Sequence, residues 1–203
     1  SLEESIHNKI MYLFKLYLLI GGMPAAVKEY VQSKNIVKVR EIHDDTIKYY
    51  GDDATKYDFE HKLKIKKIYD LVPSNIENKV KRIQFKAIEN IDDVRYTHYI
   101  DEFDYLLSSG IVLGANAISE PKFPLIQSSS KNLIKLYMND IGLLTNLLYK
   151  NNVSAILDDT KGVNLGAVYE TVVAQELKSH GHELFYYDRR KVGEVDYLVD
   201  DYN

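Results

Sequence analysis

The sequence contains no cysteine, and that absence excludes disulfides, thiolate zinc sites, iron–sulfur clusters and a thiol nucleophile together. Tryptophan is also missing, and there are only four prolines. No long hydrophobic run is present. The most apolar stretch, 16–27, follows Lys15 and is broken by Gly21, Gly22 and Pro24, so it is too short and too interrupted to span a bilayer. The opening residues carry no basic n-region of a signal peptide, and a cytoplasmic chain with no membrane partner is expected. Neither sign of charge dominates: the formal net charge is -4, which gives no long-range attraction for nucleic acid or anionic lipid. None of the ten glycines is followed by lysine. That rules out the Gly-x-x-x-x-Gly-Lys-Ser/Thr loop whose backbone N–H groups cradle phosphates.

What is present is an ordinary globular balance, 45% hydrophobic and 28% charged over 203 residues, enough to bury a core. Ile6, Ile10, Leu13, Phe14, Tyr17 and Leu18 recur at helical spacing, with Gly21-Gly22 as the stop. Pro24 opens a second helix, and a third over 36–50 ends at Gly51. A helix through Leu63, Ile65, Ile68, Leu71 and Val72 is predicted to stop at Pro73. A shorter helix follows over 80–88, then one over 96–109 with Tyr99, Phe103, Leu106 and Leu107 inward. Strands are predicted over 111–118 and 133–138, a helix over 141–149, another over 166–179, and two final strands over 183–187 and 194–199. Three helices and then a hairpin is the order of a winged helix-turn-helix. The expected class is α+β, mainly helical.

Four stretches carry a family resemblance: Gly21-Gly22-Met23-Pro24 before a helix, Lys135-Leu136-Tyr137-Met138-Asn139-Asp140-Ile141-Gly142-Leu143-Leu144, Gly166-Ala167-Val168-Tyr169-Glu170, and Gly193-Glu194-Val195-Asp196-Tyr197. In this order they resemble the uncharacterised C-terminal region of predicted bacterial and archaeal AAA-type ATPases. The resemblance implies three parts: the end of an ATPase lid over 1–53, a winged helix over 54–150, and a truncated domain similar to the PD-(D/E)xK (restriction-endonuclease-like) nuclease fold over 151–203. It also implies an ATP-binding module upstream of this chain as its partner.

In the nuclease-like fold a helix glutamate, a strand aspartate and an acidic-x-Lys strand surround Mg²⁺, held by hard oxygen ligands. The resemblance places Glu170 as the helix acid and Asp196 as the strand acid, both candidate catalytic and metal-ligating residues. Glu194 and Asp196 are two apart on a strand and face one way, with Val195, Tyr197 and Val199 facing the other. Only four residues follow Val199, so the acidic-x-Lys element is expected to be missing and the chain itself non-catalytic, with no cofactor of its own. A structural reading stands beside the catalytic one: Glu170 is favoured near a helix N-terminus, and Glu194 or Asp196 pairs with Arg189 or Arg190.

A second candidate face is basic. Lys62, Lys64, Lys66, Lys67, Lys79, Lys81, Arg82 and Lys86 stand against Asp70 and Glu77, a local surplus able to neutralise phosphates or simply to solvate a helix. The helix that would enter the DNA groove carries Asp101, Glu102 and Asp104, which repel phosphate, so base reading through it is not expected; that acidic helix is free to dock a protein instead. His180 and His182 flank Gly181 at a helix end, where the dipole stabilises a histidine, and no third ligand has zinc-site spacing. The expected function is a regulatory or nucleic-acid-associated C-terminal module of an ATPase. A Mg²⁺-dependent nuclease in the intact protein and a protein-interaction module remain the alternatives.

Overall fold

The computed structural model describes residues 2–53, 59–78, 83, 85–89, 95–150, 152–158, 165–189 and 192–200. It is a mixed α+β chain, mainly helical, with a small mixed sheet. In chain order the elements are α1 (Leu2–Ile20), α2 (Pro24–Ser33), α3 (Ile36–Asp53), α4 (Phe59–Glu77), α5 (Lys86–Glu89), α6 (Ile100–Ser108), β1 (Val112–Ile118), β2 (Ser129–Met138), α7 (Ile141–Tyr149), α8 (Ser154–Leu157), α9 (Gly166–Ser179), β3 (Leu184–Arg189) and β4 (Gly193–Leu198).

Two expected helix stops are overrun. Gly51 lies inside α3, because a lone glycine costs a helix only about 1 kcal/mol. Pro73 lies inside α4. Ile65, Ile68, Val72 and Ile76 are all buried along one stripe of that helix, so its packing continues past the proline and outweighs the lost backbone bond. The expected helix over 96–109 is a 3-10 turn at Tyr96–His98 followed by α6. The expected helix over 80–88 is described only as α5.

Chain contacts divide the molecule into two units, each assembled from separated stretches. The expected division was 1–53, 54–150 and 151–203. The first unit joins Ser1–Tyr50 to Asp140–Tyr169. Its pivot is the Asp140 carboxylate, which caps α7 by accepting from Gly142 N at 2.8 Å and Leu143 N at 3.2 Å, and accepts from Gly22 N at 2.7 Å. Two of the motif stretches therefore meet here. Arg40 Nη1 donates to Gly142 O and Thr145 Oγ1, and Thr145 in turn donates to Leu18 O. Ile20, Ala26 and Val39 form a small apolar core beside this node.

The second unit joins Gly51–Asn139 to Glu170–Asn203 and holds the sheet. Its strand order is β2-β1-β3-β4. β1 pairs antiparallel with β2 and parallel with β3, and β3 pairs antiparallel with β4. The hairpin β1–β2 and the final strands are thus one sheet. On one face Gly114 lets α6 approach, since a Cβ there would lie 2.7 Å from Leu107 Cδ2. Ile118, Leu125 and Phe185 are buried together nearby.

Candidate functional site

Strand register decides which side chains share the other face of the sheet. Lys135 on β2 pairs with Ala115 on β1, Ala115 with Leu184 on β3, and Ala117 with Tyr186. Paired residues project to the same side, and so do residues two apart. Lys135, Tyr137, Ala115, Ala117, Leu184 and Tyr186 therefore line one face, and Glu194, paired with Asp188, joins them. The two alanines are small, and the lysine stem has room to lie across them toward β4.

β4 reaches this face through an irregularity. Its register with β3 shifts between Phe185 and Tyr187, so that Asp196 and Tyr197 together oppose Tyr186. Such a bulge re-aims side chains that strict alternation would send to opposite sides. The expectation that Tyr197 faces away from the acidic pair is corrected accordingly: its hydroxyl donates to the Glu170 backbone carbonyl at 2.8 Å. Val195, expected inward, is 44% exposed, because β4 is the edge strand.

At the centre is the Lys135 ammonium. It donates to Glu194 Oε1 at 2.9 Å and Asp196 Oδ1 at 3.3 Å, and lies 3.9 Å from Glu170 Oε1. It also sits 4.5 Å from the centre of the Tyr186 ring, over its negative face. The Lys135 side chain is 3% exposed and that of Glu170 6%, against 43% for Glu194 and 48% for Asp196. The cluster is closed at its α9 end and open at its β4 edge.

Two tyrosines finish the closed end. Tyr137 OH donates to Glu170 Oε1 at 2.8 Å, and the Tyr137 and Tyr197 rings pack with centres 5.7 Å apart. Burial, then the neighbouring Tyr197 and the Glu170 carboxylate, push the Tyr137 hydroxyl far above its ordinary range. Burial does the same at Tyr197. Both hydroxyls stay protonated and remain donors.

The structure thus brings Glu170 and Asp196 to one cation, together with Glu194. The reading of Glu170 as a residue favoured by a helix N-terminus does not hold, because α9 begins at Gly166 and the dipole fades beyond the first turn. Arg189 faces Gly193 in the ladder, and Arg190 lies outside the described residues. Sequence reasoning missed Lys135 and Tyr137 although both sit in a quoted motif. Their signal was a lone lysine in the apolar run Leu133-Ile134-Lys135-Leu136-Tyr137-Met138, which a buried strand tolerates only with carboxylates at hand. Among the described residues, no three His, Cys, Asp or Glu side chains stand in a metal-holding arrangement.

The basic face is less coherent. Lys79, Lys81 and Arg82 lie outside the described residues. Lys66 pairs with Asp70 at 2.7 Å, and Lys64 lies 3.9 Å from Glu89. Lys62 is half-buried, while Lys67 and Lys86 are exposed. On α6 the expected trio of outward acids is reduced to two. Asp101 and Asp104 are exposed, but Glu102 is 2% exposed and sits 2.8 Å from His61 Nδ1, because it is one turn from Leu106 on the buried side. At the end of α9, His180 Nδ1 lies 2.7 Å from Glu176 O, and Gly181 takes φ +87° in the turn that follows.

The chain matches the family described as "Domain of unknown function (DUF8612)" over residues 11–154. Lys135 and Tyr137 fall inside that span; Glu170, Glu194 and Asp196 lie beyond it. No curated protein and no solved structure matches the chain. No helix among the described residues is long and apolar enough to cross a membrane.

Proposed function

The chain belongs to the DUF8612 family, and from that premise and the geometry around Glu170 we propose that it is a non-catalytic regulatory module of a larger AAA-type ATPase, built partly on a nuclease-like scaffold. Within this reading α1–α3 are the end of an ATPase lid, α4–α6 with β1 and β2 are a winged helix, and α9 with β3 and β4 are the nuclease-like element. The ATPase context rests on the four motif stretches.

The observation that carries the non-catalytic part is the state of Glu170. A hydrolytic carboxylate must present oxygen to a cation and to the attacking water. Here the Glu170 side chain is 6% exposed, its Oε1 accepts from Tyr137, and its nearest cation is a lysine. The carboxylate is used to hold β2, α9 and β4 together. We favour a protein or domain over DNA as the regulatory partner, since Lys64 and Lys66 already face carboxylates.

The test is direct. The purified chain, given Mg²⁺ or Mn²⁺ and single- or double-stranded DNA or RNA, should leave the nucleic acid intact. Cleavage that disappears in Glu170→Gln would overturn the reading.

A further inference from the structure

The resemblance to a metal-dependent nuclease implies a divalent cation between Glu170 and Asp196, and the residues around that point do not fit one. A Mg²⁺ ion needs oxygens about 2.1 Å away and keeps several waters. What lies between these carboxylates is the Lys135 ammonium, 2.9 Å from Glu194 Oε1, 3.3 Å from Asp196 Oδ1 and 3.9 Å from Glu170 Oε1. Those are hydrogen-bond and ion-pair distances, longer than a Mg²⁺–oxygen or Ca²⁺–oxygen bond. No three acids among the described residues are placed to hold a metal.

The lysine is also fixed. It leaves a strand whose flanking residues Ile134 and Leu136 are buried, its stem crosses the sheet, and its head rests over the Tyr186 ring. Withdrawing it would strand an ammonium in an apolar interior and leave the buried Glu170 without its cation, and both are costly. A divalent ion would have to compete with a cation that is covalently part of the fold and always at hand.

We infer that Lys135 is the permanent cation of this carboxylate set: it takes the place of a divalent metal, makes the element metal-independent, and excludes metal from it. This rests on the nuclease-like reading for the comparison it draws, but it concerns cation binding and not cleavage.

The probes are Mn²⁺ by calorimetry and Tb³⁺ by luminescence, for which Tyr137, Tyr186 and Tyr197 are built-in sensitisers beside the site. The wild-type chain should give no sensitised Tb³⁺ signal that depends on Asp196, and EDTA or Mg²⁺ should not move its melting temperature. Lys135→Met should bind Mn²⁺ at least about tenfold more tightly than wild type, because one repelling charge is gone from a set of three carboxylates. Adding Asp196→Asn should abolish that gain. Wild-type binding lost in Asp196→Asn would overturn the inference, and so would a folded Lys135→Met that binds no better than wild type. If Lys135→Met does not fold, nitrogen-detected NMR of the Lys135 ammonium in the wild type decides. Its signal should be unmoved by Mg²⁺ and shifted by Asp196→Asn, and a Mg²⁺-induced shift contradicts the inference. Metal binding without cleavage sinks this inference alone, whereas cleavage sinks the proposed function.

Discussion

The Asp140 carboxylate is divided between two backbones: Oδ1 accepts from Gly142 N at 2.8 Å and Oδ2 from Gly22 N at 2.7 Å. A helix cap and a turn 118 residues earlier in the chain are thereby one structural joint. Gly21 fits it because its φ is +73° and a Cβ would lie 2.0 Å from Asp140 Oδ1. Gly142 fits because its Cβ would lie 2.6 Å from the Ile20 carbonyl oxygen.

Replacing Asp140 with alanine removes the cap of α7 and leaves the Gly22 donor without its acceptor. A lost cap costs about 1 kcal/mol, and because Gly22 is exposed its lost bond counts as a hydrogen bond to a charged group, about 1.5–3 kcal/mol, with no burial penalty added. Asp140→Ala should therefore lower stability by about 2–4 kcal/mol in urea denaturation. A change below about 0.5 kcal/mol, the range of an ordinary surface substitution, would contradict the joint.

Tyr137→Phe tests the closed end of the cluster. It keeps the ring against Tyr197 and removes only the hydroxyl that donates to Glu170. A hydrogen bond to a charged group is worth about 1.5–3 kcal/mol, and the substitution should destabilise by that amount. Tyr197→Phe removes a donor to a backbone carbonyl that is half-buried and should cost less, about 0.5–1.5 kcal/mol. The reverse order would mean that Glu170 does not depend on Tyr137.

Much of the chain was legible. The helices over 141–149 and 166–179, the hairpin and the last two strands followed from periodicity and glycine punctuation. Long-range register was not legible. Nothing local tells that β1 pairs parallel with β3, and without that pairing Lys135 cannot be placed beside Glu194, 59 residues away. Tyr197 was misplaced for a related reason: alternation predicts its side, and a bulge opposite Tyr186 changes it. Pro73 and Gly51 were read as stops because local propensity says so, while the buried stripe from Ile65 to Ile76 prevailed at the first.

His43 sets a pH dependence for the first unit. It is fully buried, and Nε2 donates to Ile20 O at 3.0 Å. Its Nδ1 is buried without a partner among the described residues. Burial, helped by the nearby Arg40 charge and opposed by the Ile20 carbonyl, Asp140 and Asp44, holds its pKa below the ordinary value. The unfolded chain takes up a proton near pH 6.5 that the native state refuses. Stability from this residue is complete above that pH and falls as the solution is acidified, by at most about 1.4 kcal/mol per pH unit. Urea midpoints measured from pH 8 down to pH 5 should fall more steeply for the wild type than for His43→Gln. Equal slopes would show that His43 titrates alike in both states.

Glu194 and Asp196 should behave as two half-exposed partners of one buried cation. Each keeps water on its outer side, 43% and 48% exposed, and an exposed ion pair is worth at most about 1 kcal/mol. Glu194→Gln and Asp196→Asn should each cost less than that, since either residue alone still receives a hydrogen bond from Lys135. The double substitution leaves the ammonium, 3% exposed, with Glu170 at 3.9 Å as its one remaining carboxylate in this cluster and only neutral amide oxygens at the other two positions. That loss exceeds the sum of the single ones, by an interaction energy of about 0.5–3 kcal/mol, because a buried charge is penalised once its last close partner goes. Strict additivity in the double-mutant cycle would mean that the two carboxylates do not share Lys135.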